Sequence, residues 1–272
     1  MKEKYLGSKN RIYYKTNYIS NKKPTLFFVH GLSGSSSAWR KYEKKFENKY
    51  NLISIDLRGH GKSFRPNKIN EYKIKSFVSD LYKLIKKERV KKVIFIAHSF
   101  GNFPVIKFIK KYPHKVIGAV LVSPNFNPSN TLIAKIMKPL LKIKYLFNYL
   151  PNKKNKGHID YEKYINTGDW NIRRNYADIK NTGLKSYLSS SIHSYSWNAE
   201  AFIDKIKIPL LIIHGRKDTV FPIENTKYIS KKIKNAELKI LDKADHIIVL
   251  NFFKELSSLI EKFVKNLPKT TG

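Results

Sequence analysis

The chain has 272 residues and a formal net charge of +34, from 54 lysines and arginines against 20 aspartates and glutamates. Hydrophobic residues make up 42% and aromatics 13%, more large apolar side chain than a disordered chain carries, and the length suits one large α/β domain or two small ones. The absence of cysteine excludes a disulfide framework, a thiolate metal site and a cysteine nucleophile.

Met1 to Asn10 is polar and lacks the apolar stretch of a signal peptide, and no apolar run approaches the length of about 18 residues that spans a bilayer, so a cytoplasmic protein is expected. Tyr5–Leu6 and Arg11–Lys15 flank Gly7-Ser8-Lys9-Asn10 and predict an antiparallel hairpin at a sheet edge. A strand follows over Thr25–Val29, a helix over Ser36–Asn48 and a strand over Leu52–Ile55. A helix over Glu71–Glu88, behind an Asn70 cap, repeats Phe77, Leu81, Leu84 and Ile85 at helical spacing, which buries one face. Val93–Ala97, Ile117–Val122, Leu210–Ile213 and Glu237–Leu241 read as further strands. Asn102–Tyr112, Glu224–Lys234 and Ile248–Asn266 read as helices. This alternation predicts an α/β fold with a mainly parallel, doubly wound sheet of about eight strands, whose middle members are apolar because both faces are covered.

The rhythm fails between Ser123 and about Asn198. A structureless loop of that length is out of place in a compact domain, so residues 124–198 are expected to form an inserted, mostly helical subdomain, and 1–123 and 199–272 the core. Within the insertion Leu132, Ile133, Ile136, Met137, Leu140 and Leu141 keep helical spacing, and Pro139 is expected to divide them into two short helices.

The candidate chemistry falls just after predicted strands, where ligands of open parallel sheets bind. Ala97-His98-Ser99-Phe100-Gly101 places a serine in a strand-to-helix turn with small residues two before and two after it, as a nucleophile elbow requires. His30-Gly31-Leu32-Ser33-Gly34 can aim the Leu32 N–H beside that of Phe100 to form an oxyanion hole. His214-Gly215-Arg216-Lys217-Asp218 and Lys243-Ala244-Asp245-His246 complete the order serine, acid, histidine. A serine hydroxyl needs a base to remove its proton, and the imidazole needs a carboxylate to fix its tautomer.

With these motifs and Asp56-Leu57-Arg58-Gly59-His60-Gly61-Lys62-Ser63, which is similar to the D-x-R-G-x-G-x-S segment after the second core strand, the sequence resembles the α/β-hydrolase fold superfamily over nearly its whole length. The resemblance implies Ser99 as nucleophile, His246 as general base, Asp218 as its orienter, and Leu32 and Phe100 as oxyanion donors. It also implies that the insertion is a cap. Ala97, Asn102 and Asp245 depart from the usual pattern. The activity so implied is cleavage of a small-molecule carboxylic ester through an acyl-enzyme. Acyl transfer, lactone, amide or carbon–carbon bond cleavage on the same triad, and ligand reception without catalysis, are the alternatives. Serine at position 99 speaks against the epoxide hydrolase and haloalkane dehalogenase branches, which use carboxylate nucleophiles.

Plainer readings account for most other features. His30, His98 and His214 sit at strand ends, where packing or supporting hydrogen bonds are expected. His60, His114, His158 and His193 read as turn or surface residues, and Asp56 and Arg58 as a loop brace. Trp39, Met137 and Leu140 are candidates for the substrate pocket, although Trp39 also reads as core. Docking of the Leu132–Leu141 stripe on a membrane surface is a weaker reading than packing of a cap helix. No cofactor or metal motif is present. The basic residues are 46 lysines and only 8 arginines, spread from Lys2 to Lys269, and the 32 isoleucines and 23 asparagines fit an A/T-rich coding sequence. No specific nucleic-acid partner is therefore expected.

Overall fold

The computed structural model describes the chain except residues 18, 21, 131–133, 136, 137, 153–156 and 269–272, and the side chains of 130, 138 and 141. β1 (Lys2–Leu6) and β2 (Ile12–Thr16) form the expected edge hairpin, and β2 continues antiparallel onto β4 (Asn51–Ile55). β3 (Thr25–Val29), β5 (Val93–His98), β6 (Val116–Val122), β7 (Leu210–Gly215) and β8 (Ala236–Leu241) join β4 in a parallel array, in the order β1-β2-β4-β3-β5-β6-β7-β8. Successive residues of β3 feed opposite layers: Leu26 and Phe28 pack with Trp39, Tyr42 and Phe46, while Phe27 packs with Phe77, Phe95 and Phe103.

α1 (Arg40–Phe46), α2 (Ile74–Lys87) and α3 (Asn102–Lys111) follow the first strands. α4 (Ile172–Thr182) and α5 (Leu184–Tyr195) lie between β6 and β7, and α6 (Ile223–Ser230), α7 (Ile248–Asn251) and α8 (Phe253–Asn266) complete the chain. Two expected helices are interrupted. A 3₁₀ turn over Ile69–Tyr72 ends at the extended Lys73 (φ −61°, ψ 143°), so α2 begins at Ile74 without an Asn70 cap. Glu71 instead accepts the Lys68 N–H at 3.2 Å, and its carbonyl accepts Arg58, which ties the turn to the loop after β4. The last helix breaks at Phe252 (φ −119°, ψ 44°). The helix expected over Glu224–Lys234 is shorter, ending at Ser230.

Among the described residues no strand lies between β6 and β7. Short 3₁₀ turns, including Lys138–Leu141 around Pro139, lead into α4 and α5. Leu132, Ile133, Ile136 and Met137 lie outside the described residues. The inserted segment is pinned to the core by side chains: Thr182 Oγ1 donates to Ser33 O (2.9 Å), Ser37 Oγ donates to Ile159 O (2.9 Å), and the Tyr72 and Ser186 hydroxyls share a hydrogen bond (2.8 Å). No helix among the described residues is long and apolar enough to cross a membrane.

Candidate active site

Ser99 follows the last residue of β5 and adopts φ 49°, a left-handed conformation that costs a non-glycine residue about 1 to 3 kcal/mol. Its surroundings enforce that conformation. A Cβ on Gly101 would lie 2.6 Å from His30 O and 2.8 Å from Val29 O, so only glycine lets the helix start this close to β3. Asn102, a departure from the usual motif, braces the turn: its buried Nδ2 donates to Ser99 O (3.0 Å) and to Val122 O (2.9 Å).

The Ser99 hydroxyl donates to His246 Nε2 at 2.8 Å, and His246 Nδ1 donates to Asp218 Oδ2 at 2.8 Å. Asp218 Oδ1 accepts the backbone N–H groups of Val220 (2.9 Å) and Phe221 (2.8 Å). Burial opposes ionisation of Asp218, but the charge of His246 and the hydrogen bonds from His214 and His246 outweigh it and hold the carboxyl below the usual carboxylate range. Asp242 pairs instead with Arg216 at the surface (2.6 Å), and Asp245 accepts the Ile247 N–H (2.9 Å). The sequence neighbours of His246 thus leave its ring to Asp218.

The imidazole is held from its backbone as well. His246 O accepts His98 Nε2 at 2.9 Å and Ser123 Oγ at 3.3 Å, while its N–H donates to Asp169 Oδ1 at 2.8 Å. Burial pushes His98 down to about 3, so at neutral pH it is an uncharged donor. Leu32 and Phe100 border the same cavity as Ser99 and His246. The Phe100 N–H belongs to the first helical turn, whose N–H groups lack intrahelical acceptors, and no backbone partner is found for Leu32 N–H among the described residues.

A family model for the alpha/beta hydrolase fold matches residues 24–252. The chain belongs to the α/β-hydrolase fold family. Among curated relatives, it is 24% identical to protein ABHD8 of Homo sapiens, over 88% of this chain and 54% of that protein. It is also 24% identical to epoxide hydrolase 1 of Caenorhabditis elegans, over 90% of this chain and 66% of that protein. It thus spans about half to two thirds of these relatives. Among solved structures, Est816, described as an N-acyl homoserine lactone degrading enzyme, superposes with a TM-score of 0.78 at 19% identity, covering 96% of this chain and 100% of that one.

Within this α/β-hydrolase frame a cavity of about 430 Å³ lies over Ser99. Trp39 borders it and is fully buried against Phe28 and Tyr42, as its core reading expects. Leu140 is a correction: it packs with Ile69, Phe147 and Ile192, because the 3₁₀ turn around Pro139 directs it to a separate apolar cluster. Met137 lies outside the described residues. Three histidines expected in turns or on the surface are buried or nearly so. His60 is enclosed beside His30 (ring centroids 5.2 Å apart), His193 Nε2 donates to Ile69 O (3.0 Å), and His158 pairs with Asp56 (2.7 Å). Asp56 and Arg58 do brace their loop, but separately. Asp56 accepts Ser36 N and Lys62 N, both at 2.7 Å, whereas Arg58 forks onto Asp80 with two bonds of 2.7 Å.

Asp178 on α4 also lines the cavity, where it accepts the Tyr161 hydroxyl (2.8 Å). Burial pushes its carboxyl up to about 6, against the hydrogen bond from Tyr161 and the charge of Arg174. Because this value exceeds that of the unfolded chain, the folded state takes up the proton first as pH falls. The stabilisation from this group therefore grows through pH 6 and is complete near pH 4. The stability of wild type relative to Asp178→Asn is expected to rise by up to ~3 kcal/mol between pH 7.5 and 4, read from urea unfolding. Parallel pH profiles would contradict the assignment.

Proposed function

We propose that the protein is a serine hydrolase acting on carboxylic esters small enough to enter the cavity above Ser99. The observation that carries this reading is the unbroken chain from Ser99 Oγ through His246 to the buried Asp218, with both links at 2.8 Å. His246 Nε2 takes the serine proton as Oγ attacks the ester carbonyl, and the N–H groups of Leu32 and Phe100 stabilise the oxyanion. Collapse of the intermediate breaks the carbon–oxygen bond, and the alcohol leaves with the proton from His246. Water then gives its proton to the same nitrogen, attacks the acyl-enzyme, and releases the acid and free Ser99. Serine at the elbow, instead of a carboxylate, favours this reaction over the epoxide opening named for the nematode relative. The helical insertion acts as the cap that shapes the pocket, and the volume of about 430 Å³ suits a small-molecule site.

Two measurements test the reading. Wild-type protein is expected to hydrolyse short p-nitrophenyl esters, with rates falling once the acyl chain exceeds the cavity. A fluorophosphonate is expected to attach covalently to Ser99, located by peptide mass spectrometry. Absence of both turnover and labelling would remove the proposal.

A further inference from the structure

The inserted segment carries one carboxylate, Asp169, that touches both loops of the proposed relay without touching its reacting atoms. Its Oδ1 accepts the His246 N–H at 2.8 Å. Its Oδ2 accepts the Thr219 N–H at 3.0 Å and the Thr219 hydroxyl at 2.7 Å, and Thr219 directly follows Asp218. The next residue, Trp170, donates its indole N–H to Thr219 Oγ1 at 2.9 Å. Asp169 is only 8% exposed, so water does not compete effectively for its oxygens. The segment around it is itself fixed. Arg174 donates to Asp169 O (2.7 Å), while Asn251, on the helix after His246, accepts Asn166 N (2.8 Å) and donates to Thr167 O (3.0 Å).

We propose that Asp169 is a positioning residue: it ties the acid-bearing and base-bearing loops together from the insertion and so fixes the place of the His246 ring between Ser99 and Asp218. The proposal rests on the reading of Ser99, His246 and Asp218 as the reacting chain. His246 follows β8 and Asp218 follows β7; backbone bonds from Arg216 N to Leu241 O (3.0 Å) and from Lys217 N to Ala244 O (2.9 Å) join the starts of the two loops, but Asp218 and His246 lie beyond them. The Asp169 carboxylate extends the tie to the Thr219 and His246 backbones, at the residues that set the relay itself. Displacements near 1 Å in such a relay cost about 100-fold in rate.

The test uses Asp169→Ala, Asp169→Asn and Thr219→Val in the full chain, with folding checked by circular dichroism. Asp169→Ala is expected to lower kcat on a short p-nitrophenyl ester roughly 10- to 100-fold with KM within about threefold, and to slow fluorophosphonate labelling of Ser99 in parallel. In that labelling Ser99 Oγ bonds to phosphorus, fluoride leaves and His246 takes the proton. Asp169→Asn, which keeps one acceptor oxygen, is expected to recover part of the rate. Thr219→Val should cost less in the Asp169→Ala background than alone, because the two side chains act together. Backbone amide exchange at His246 and Thr219 should accelerate in Asp169→Ala, a readout that needs no turnover. A folded Asp169→Ala with kcat within threefold of wild type, or with unchanged exchange at both amides, overturns the proposal. If that variant does not fold, full activity of both Asp169→Asn and Thr219→Val overturns it. Should Ser99→Ala retain activity and labelling, the reading of the reacting chain is what fails, and amide exchange then decides the structural tie alone.

Discussion

Ser99→Ala is expected to lower kcat on a short p-nitrophenyl ester by about 10⁴- to 10⁶-fold while KM changes only a few-fold. On the proposed mechanism the variant loses the nucleophilic oxygen but retains the cavity, the Leu32 and Phe100 N–H groups and the His246–Asp218 pair. Ground-state binding therefore survives and the chemical step does not. Alanine takes the same φ of 49° at the same strain, so the melting temperature should move little and the loss of rate cannot be charged to unfolding. Adding His246→Ala should cost almost nothing further, since a base without its nucleophile has no proton to accept. A Ser99→Ala rate within tenfold of wild type would show that another group does the chemistry.

Asp56→Ala is expected to produce the largest loss of stability, about 3 to 5 kcal/mol by urea unfolding. Asp56 is fully buried, and its two oxygens serve Ser36 N, Lys62 N and His158 Nε2, all at 2.7 Å. Removing it leaves these three buried or part-buried donors without their acceptor. Burial opposes its ionisation, yet the hydrogen bond and charge of His158 keep its pKa below the ordinary value. Its contribution is therefore complete above the unfolded carboxyl value and is lost as pH falls through the lower, folded one. The gap between wild type and Asp56→Ala should be widest near neutrality and narrow below about pH 4. A loss under 1 kcal/mol at pH 7 would contradict the role of the brace.

The parts visible in the sequence are those governed by local rules. Thr25–Val29 reads as a strand to the residue because every position is buried, and the elbow reads clearly because Gly101 has no room for a Cβ beside β3. The breaks at Lys73 and Phe252 carry no proline or glycine, and arise from how the loop after β4 and the His246 turn pack. α5 was hidden because its buried face is made largely of serines, Ser186, Ser189, Ser190 and Ser194 among them, which leave no apolar stripe to count. The tie from Asp169 to His246 spans 77 positions and the one from His158 to Asp56 spans 102. No periodicity reaches that far, so each carboxylate reads alone as an ordinary loop residue.

The bonds from Thr182 to Ser33, from Asp169 to Thr219 and His246, and from His158 to Asp56 bear on how such a protein can be altered. They reach the loop that follows each of β3, β4, β7 and β8. A segment wired into so many loops is not an interchangeable module. Grafting the corresponding segment of another hydrolase to change specificity would transplant a new pocket wall but also cut these wires. A workable chimera has to carry residues 166–170, Thr182 and His158 along with the old core, and redesign only the pocket-facing positions of α4 and α5.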